Sequence, residues 1–302
     1  MKLALKVDVD TFQGTRKGVP RLLELLKKHD AGATFFFSLG PDHTGRAVKR
    51  AFRRGFVTKV SRTSVVSHYG LRSLLYGTLL PGPDIGRRCG DIMRSVRDAG
   101  FEVGIHCWDH VKWQDGVSGA DAAWTERQIW LARERFEAVF GEPARAHGAA
   151  GWQMNLHALR LTQRLGFDYS SDSRGTCPFI PVWRAESVAC PQRPTTLPTL
   201  DELIGTNGLT TKNVAEHVLG LTRTPPAAGH VYTLHAELEG RKLAGAFETM
   251  LAGWKNQGYE LVSLRTLAEA LDLKSLPRNE ISLGPVAGRS GSLTLQGKEF
   301  LS

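Results

Sequence analysis

The sequence predicts an α/β protein: an incomplete, distorted (β/α) barrel interrupted by a basic amphipathic insertion. Three observations lead there. Apolar runs of strand length alternate with amphipathic stretches of helix length, the rhythm of parallel β/α units. Polar and titratable residues gather directly behind the apolar runs, where α/β sheets and barrels bind ligands. A chain of 302 residues, 41% hydrophobic and 23% charged, can bury one core of that size and fits neither a disordered nor a coiled-coil class.

Leu3-Ala4-Leu5-Lys6-Val7 reads as the first buried strand and runs into Asp8-Val9-Asp10. A loop over 11–18 leads to a helix over 19–26 with Pro20 in its first turn. A second strand is expected over 31–37, then a helix over 84–99, a strand over 101–105 and a helix over 119–140. A short strand near 144–148, a helix over 153–165 and a strand over 167–171 follow. The series ends with helix 211–223, strand 230–235, helix 241–257, strand 259–263 and helix 264–272. Six or seven such units suit a barrel that need not close, so one catalytic domain spans 1–272. Residues 273–302 form a polar, Gly/Ser-rich tail, where alternating runs on either side of 288–291 predict an edge hairpin without assigned function.

The insertion, 43–83, breaks this rhythm. It carries eight basic residues (Arg46, Lys49, Arg50, Arg53, Arg54, Lys59, Arg62, Arg72) and no acid, nearly the whole net charge of +9. Phe52, Phe56, Val57 and Val60 are interleaved with them. Cations mixed with apolar side chains suit an anionic headgroup layer, so this segment is expected to be a lid that docks on lipid through Lys49, Arg50, Phe52, Arg53, Arg54, Phe56, Lys59 and Arg62. A nucleic-acid partner is not expected, because no zinc finger, RNP-like run or helix-turn-helix signature accompanies the charge. No signal peptide and no membrane-spanning apolar run is read, which places the chain in the cytoplasm. Cys89, Cys107, Cys177 and Cys190 lack C-x-x-C spacing and are expected as reduced thiols.

The chemistry sits at strand ends. Residues two apart on a strand share a face, so Asp8 and Asp10 point the same way and repel unless a cation or a shared proton offsets them. His106 and His110, four apart, share a face if the turn they occupy is helical. Imidazoles and a carboxylate that leave coordination positions open make a hydrolytic metal site. Taken singly, Asp10 can cap a turn and the two histidines can be a surface pair; their joint position behind two strands favours a site. His235, ending a later strand, can meet the same mouth. Trp113, Arg145, His147, Trp152, Asp172, Arg174, Glu237 and Glu239 lie at or near strand ends as candidate substrate contacts, and each is also compatible with turn chemistry.

In this order and spacing, Val7-Asp8-Val9-Asp10, Gly104-Ile105-His106-x-x-x-His110 and Leu234-His235 resemble the polysaccharide deacetylase (NodB-homology, carbohydrate esterase family four) superfamily, over most of residues 2–272. The resemblance implies an incomplete (β/α) barrel that cleaves an amide, with Asp10, His106 and His110 holding one divalent metal ion, Asp8 as catalytic base and His235 as general acid. Zn, Mn, Co and Ni all accept such a donor set, so the ion's identity stays open. The runs 6–16, 33–42, 150–153 and 234–240 are similar to the branch that removes the formyl group from an undecaprenyl-phosphate-linked formamido-arabinose. That branch implies a lipid-linked substrate met at the cytoplasmic side of the inner membrane of a Gram-negative bacterium. It also implies a product used in lipid A modification and resistance to polymyxin and cationic antimicrobial peptides. A deacetylase or amidohydrolase of a soluble N-acylated sugar is the alternative. One departure stands out: many members carry Arg-x-Pro in the third motif, where the arginine orients the base. No proline follows Arg145 or His147 in that spacing, which leaves the residue that orients Asp8 unassigned.

Overall fold

The structure, a computed structural model, describes residues 1–47 and 73–301. Its strands are β1 (Lys2–Val9), β2 (Thr34–Ser38), β3 (Glu102–Cys107), β4 (Ala146–His147), β5 (Tyr169–Ser170), β6 (Ile180–Trp183), β7 (Glu186–Ser187), β8 (His230–His235), β9 (Glu260–Val262), β10 (Arg278–Gly284) and β11 (Leu293–Glu299). A seven-stranded parallel sheet runs β5-β4-β3-β2-β1-β8, with β9 pairing the start of β1. Between β5 and β8 the wall is completed by an irregular extended segment. There Arg193 N–H bonds Ser170 O at 2.7 Å and Thr196 N–H bonds Val231 O at 3.0 Å. The expected distorted barrel is what forms.

The alternation of β1 explains why. Leu3, Leu5, Val7 and Val9 join the main core beneath the helices, whereas Ala4, Lys6 and Asp8 occupy the other face. Helix Val19–Lys28 begins with Pro in its first turn and buries Val19, Leu22, Leu25 and Leu26, a spacing of three and four that makes one apolar stripe. Helix Ile85–Asp98 is capped by the Asp84 carboxylate, which accepts from Arg87 N–H at 3.0 Å. Inside the barrel, Ala4, Phe36, Ala146, Tyr169, Val231, Leu264 and Leu267 form a second apolar cluster. Helix Leu264–Glu269 thereby plugs one end and leaves the strands' C-terminal mouth for chemistry.

The insertion leaves and returns at one point. Pro41 bridges Asp84, and Asp42 N–H bonds Pro83 O at 3.0 Å. Most of it, including Lys49, Arg50, Phe52, Arg53, Arg54, Phe56, Lys59 and Arg62, lies outside the described residues. Of its flanks, Leu79 is 81% exposed in a turn closed by Leu79 and Leu80 N–H groups onto Leu75 O.

Two regions differ from expectation. Between 171 and 211, where no element was expected, the chain forms β6, β7 and a short helix Leu200–Leu203. The tail's hairpin forms as β10 and β11, but β10 also runs parallel to β6, giving a second sheet ordered β11-β10-β6-β7. The tail is therefore knitted to the barrel rather than hanging at an edge. All four cysteines are free thiols; burial pushes Cys89 up to about 11 and Cys190 up to about 12.

Candidate metal centre

Asp10, His106 and His110 converge, each offering a ligand atom within 4.8 Å of the others. His106 Nε2 stands 3.1 Å from Asp10 Oδ1 and His110 Nε2 stands 3.4 Å from Asp10 Oδ2. The convergence has a different local origin from the one expected. His106 lies within β3, and His110 is the first residue of helix His110–Gly116. The two rings meet across a strand-to-helix turn, stacked with centroids 5.4 Å apart, and not along one helical face. Asp109 makes the turn: one carboxylate oxygen accepts from Lys112 N–H at 3.1 Å and the other meets His43 Nδ1 at 2.6 Å. On β3, Gly104 is required, since a Cβ there would stand 2.7 Å from the Phe36 ring and 2.8 Å from Ala146 O.

His106 Nδ1 donates to Gly148 O at 2.5 Å, which turns Nε2 toward Asp10. Burial opposes charge on His106, but Asp8 and Asp10 outweigh it and hold its pKa above the ordinary value. Burial lowers His110, favouring the neutral imidazole that a metal needs. Burial alone would raise Asp10; the charge of His110, the close approach of His106 Nε2 and the charge of His106 override it and hold the carboxyl far below the ordinary range. Asp10 Oδ1 and His106 Nε2 are buried and have no hydrogen-bond partner among the described residues. Two orphaned, opposed donors of this kind, joined by His110, fit a divalent cation.

Asp8 and His235 flank the cluster. Asp8 is 2% exposed; Lys6 Nζ contacts its Oδ2 at 3.1 Å, and its Oδ1 is buried without a hydrogen-bond partner. His235, 9% exposed, lies edge-on to the Trp152 ring, with Nδ1 3.8 Å from Asp201 Oδ1.

The other expected contacts separate into distinct groups. Glu237 accepts from Asp10 N–H, Thr11 N–H and Thr11 Oγ1–H at 3.0, 2.8 and 2.8 Å; burial and the neighbouring Asp10 push its pKa well up. It ties down the loop that begins at Asp10. Glu239 takes the Tyr232 hydroxyl and His235 N–H, and burial pushes it up to about 7. His147 and Asp172, each 1% exposed, form a 2.8 Å pair, with Ala149 N–H also bonding Asp172. Trp113 is buried and donates to Gln153 O. These side chains brace the strand ends. Arg145 stands before β4, forked onto Asp168 at 2.9 and 2.7 Å beside a cavity of about 500 Å³ that none of the five candidate catalytic and metal-binding residues lines. The structure does not bring it to the cluster.

Trp152, with φ of +53°, is ringed by cations: Lys6, Arg174 and Arg289 stand 5.1, 4.9 and 4.9 Å from its ring. Arg174 pairs with Glu202 at 2.5 Å, and Arg289 pairs with Glu202 at 2.8 Å and Asp201 at 3.0 Å. Asp201, Glu202 and Arg289 were not foreseen. Thr199-Leu200-Asp201-Glu202 is a capping-box signature that would have marked the short helix, but nothing local points it at His235.

Residues 3–170, more than half the chain, match the polysaccharide deacetylase family. The chain belongs to the polysaccharide deacetylase family. As a member it is a hydrolase of the deacetylase and deformylase type. It is 39% identical over 295 residues to a Shewanella sediminis protein named as a probable 4-deoxy-4-formamido-L-arabinose-phosphoundecaprenol deformylase, covering 98% of this chain and 94% of that one. A protein of the same name from Wigglesworthia glossinidia brevipalpis is 33% identical over 286 residues, covering 94% and 99%. Among solved structures, one from Mycobacterium smegmatis assigned as a polysaccharide deacetylase superposes with a TM-score of 0.62 at 18% identity, covering 94% of this chain and 95% of that one. The last likeness bears on the fold alone.

Proposed function

We propose that this polysaccharide deacetylase family member is a metal-dependent deformylase of 4-deoxy-4-formamido-L-arabinose-phosphoundecaprenol, yielding formate and the 4-amino sugar on its lipid carrier. The observation that carries the reading is the convergence of Asp10, His106 and His110 beside Asp8 and His235, in a chain that aligns along nearly its whole length with proteins of that name.

Asp10, His106 and His110 would hold one divalent cation, which when bound supplies Lewis acidity toward an amide carbonyl and makes water more acidic. Asp8 Oδ1 takes the proton of the attacking water as its oxygen bonds to the formyl carbon. The amine leaves poorly as an anion, so His235 donates a proton to nitrogen as the C–N bond breaks. Trp152, edge-on to the His235 ring, limits where that imidazole can lie.

The lipid carrier accords with two features. Residues 43–83 hold eight cations and no acid, and Leu79 on the described flank presents an apolar side chain to solvent. Among the described residues no helix is long and apolar enough to cross a membrane, so we place the chain peripherally on the cytoplasmic leaflet of the inner membrane. Its product there would feed lipid A modification and resistance to polymyxin and cationic antimicrobial peptides. The test is formate release from a synthetic formamido-arabinosyl phosphoundecaprenol, with metal analysis of the same preparation. No release by metal-loaded protein, or equal turnover of a soluble formamido sugar, overturns the reading.

A further inference from the structure

We infer that Lys6 is a positioning residue for hydrolysis: its ammonium anchors one oxygen of Asp8 so that the other faces the reacting water. This rests on Asp8 being the base. Lys6 is 0% exposed, and a lysine is almost never that buried without a partner for its charge. Its one hydrogen-bond acceptor among the described residues is Asp8 Oδ2, at 3.1 Å; otherwise the ammonium faces the rings of Phe36 at 5.6 Å and Trp152 at 5.1 Å. Lys6 and Asp8 are two apart on β1, on the same face.

The surroundings are shaped for this stem. A Cβ at Gly148 would stand 3.1 Å from Lys6 Cε and 2.9 Å from the Phe36 ring, so glycine there leaves the lysine its channel. With Oδ2 held, Asp8 Oδ1 is left buried without a hydrogen-bond partner, 3.8 Å from His106 Nδ1. Lys6 also offsets part of the repulsion between Asp8 and Asp10. Other cations are engaged elsewhere: Arg145 with Asp168, and Arg174 and Arg289 with Glu202.

The test is a double-mutant cycle on the full, metal-loaded chain, followed by formate release from the synthetic lipid. Lys6→Met is expected to lower kcat by about 100-fold with KM within about threefold and metal content unchanged. In an Asp8→Asn background the same change is expected to alter the residual rate by less than about threefold, because a residue acting through Asp8 has nothing left to position. Should Lys6→Met fold poorly, Lys6→Gln, whose amide is one atom too short to reach Asp8, carries the same expectation. A folded, metal-loaded Lys6 variant with kcat within about threefold of wild type overturns the inference, as does a full multiplicative loss on top of Asp8→Asn. If Asp8→Asn itself retains wild-type kcat, the base assignment falls and the inference with it; if Asp8→Asn is inactive and the Lys6 variants are not, only the inference falls.

Discussion

Asp8 and His235 are Cα partners in the parallel ladder between β1 and β8, so the proposed base and acid are set side by side by sheet register rather than by a loop. Register is hard to shift in a strand with one face in the core and the other in the barrel, so each group can be silenced without moving the other. Asp8→Asn and His235→Ala are each expected to lower kcat by roughly 10²- to 10⁴-fold, with the double variant falling well short of the product of the two. Steady-state formate release and metal analysis of each variant check this. Loss of metal from Asp8→Asn would show that Asp8 is a ligand.

The proposed cation site gives a prediction independent of turnover. Gly148 O holds His106 with Nε2 toward Asp10, so the donors are arranged before any ion arrives. An ion that binds only the folded chain raises its melting temperature by mass action, with about 2.7 kcal/mol gained at one hundred times Kd. Adding a divalent cation to stripped wild type should therefore raise Tm, whereas Asp10→Ala and His110→Ala should show no rise. A rise in Asp10→Ala equal to that of wild type would remove Asp10 from the donor set.

Glu239 supplies a pH signature. Burial lifts its carboxyl to about 7 from the ordinary 4.5, so in this window the folded chain holds a proton that the unfolded chain has released. Stability from this group is then fully present below about pH 4.5 and lost as pH rises through about 7, on the order of 3 kcal/mol in all. Glu239→Gln mimics the protonated acid, since one amide atom can accept from His235 N–H while the other meets Tyr232. The variant should gain on wild type steadily between about pH 5 and about pH 8 in urea melts. A gap that does not change with pH would mean Glu239 is ionised throughout.

What was legible in the sequence follows from what each segment needed. β1, β2 and β3 are buried on both faces, so their apolar runs stand out, and Asp8, Asp10, His106 and His235 are marked as candidates by their spacing and their joint position at strand ends. Trp113, His147 and Asp172 lie near those same ends, yet their polar atoms are taken up by neighbouring backbone and side chains. Local pattern cannot tell a brace from a substrate contact. Asp201 and Arg289 were invisible for the opposite reason. They sit in short, proline-interrupted or glycine-rich stretches, and long-range contacts bring them to the mouth: Thr196 N–H on Val231 O ahead of Asp201, and the pairing of β10 with β6 and of Leu295 with Arg174 around Arg289.

That pairing makes the C-terminal hairpin part of the structure around His235, with a measurable consequence. Gly288, at φ of +83°, lies so close to Glu202 that a Cβ would stand 2.6 Å from its carbonyl oxygen. The next residue, Arg289, reaches Glu202, Asp201 and Thr199, and its side chain is 19% exposed. Replacing it with Met leaves the Glu202 carboxylate, whose side chain is 2% exposed, with Arg174 as its remaining cationic partner. The expected cost is about 3 kcal/mol in urea unfolding, since removing one member of a buried ion group leaves charge uncompensated. Adding Glu202→Gln to Arg289→Met should recover part of that loss, because the stranded charge is then gone. A wild-type unfolding midpoint in Arg289→Met would mean that the hairpin is held by its strand pairing alone and that Arg289 is a passenger on it.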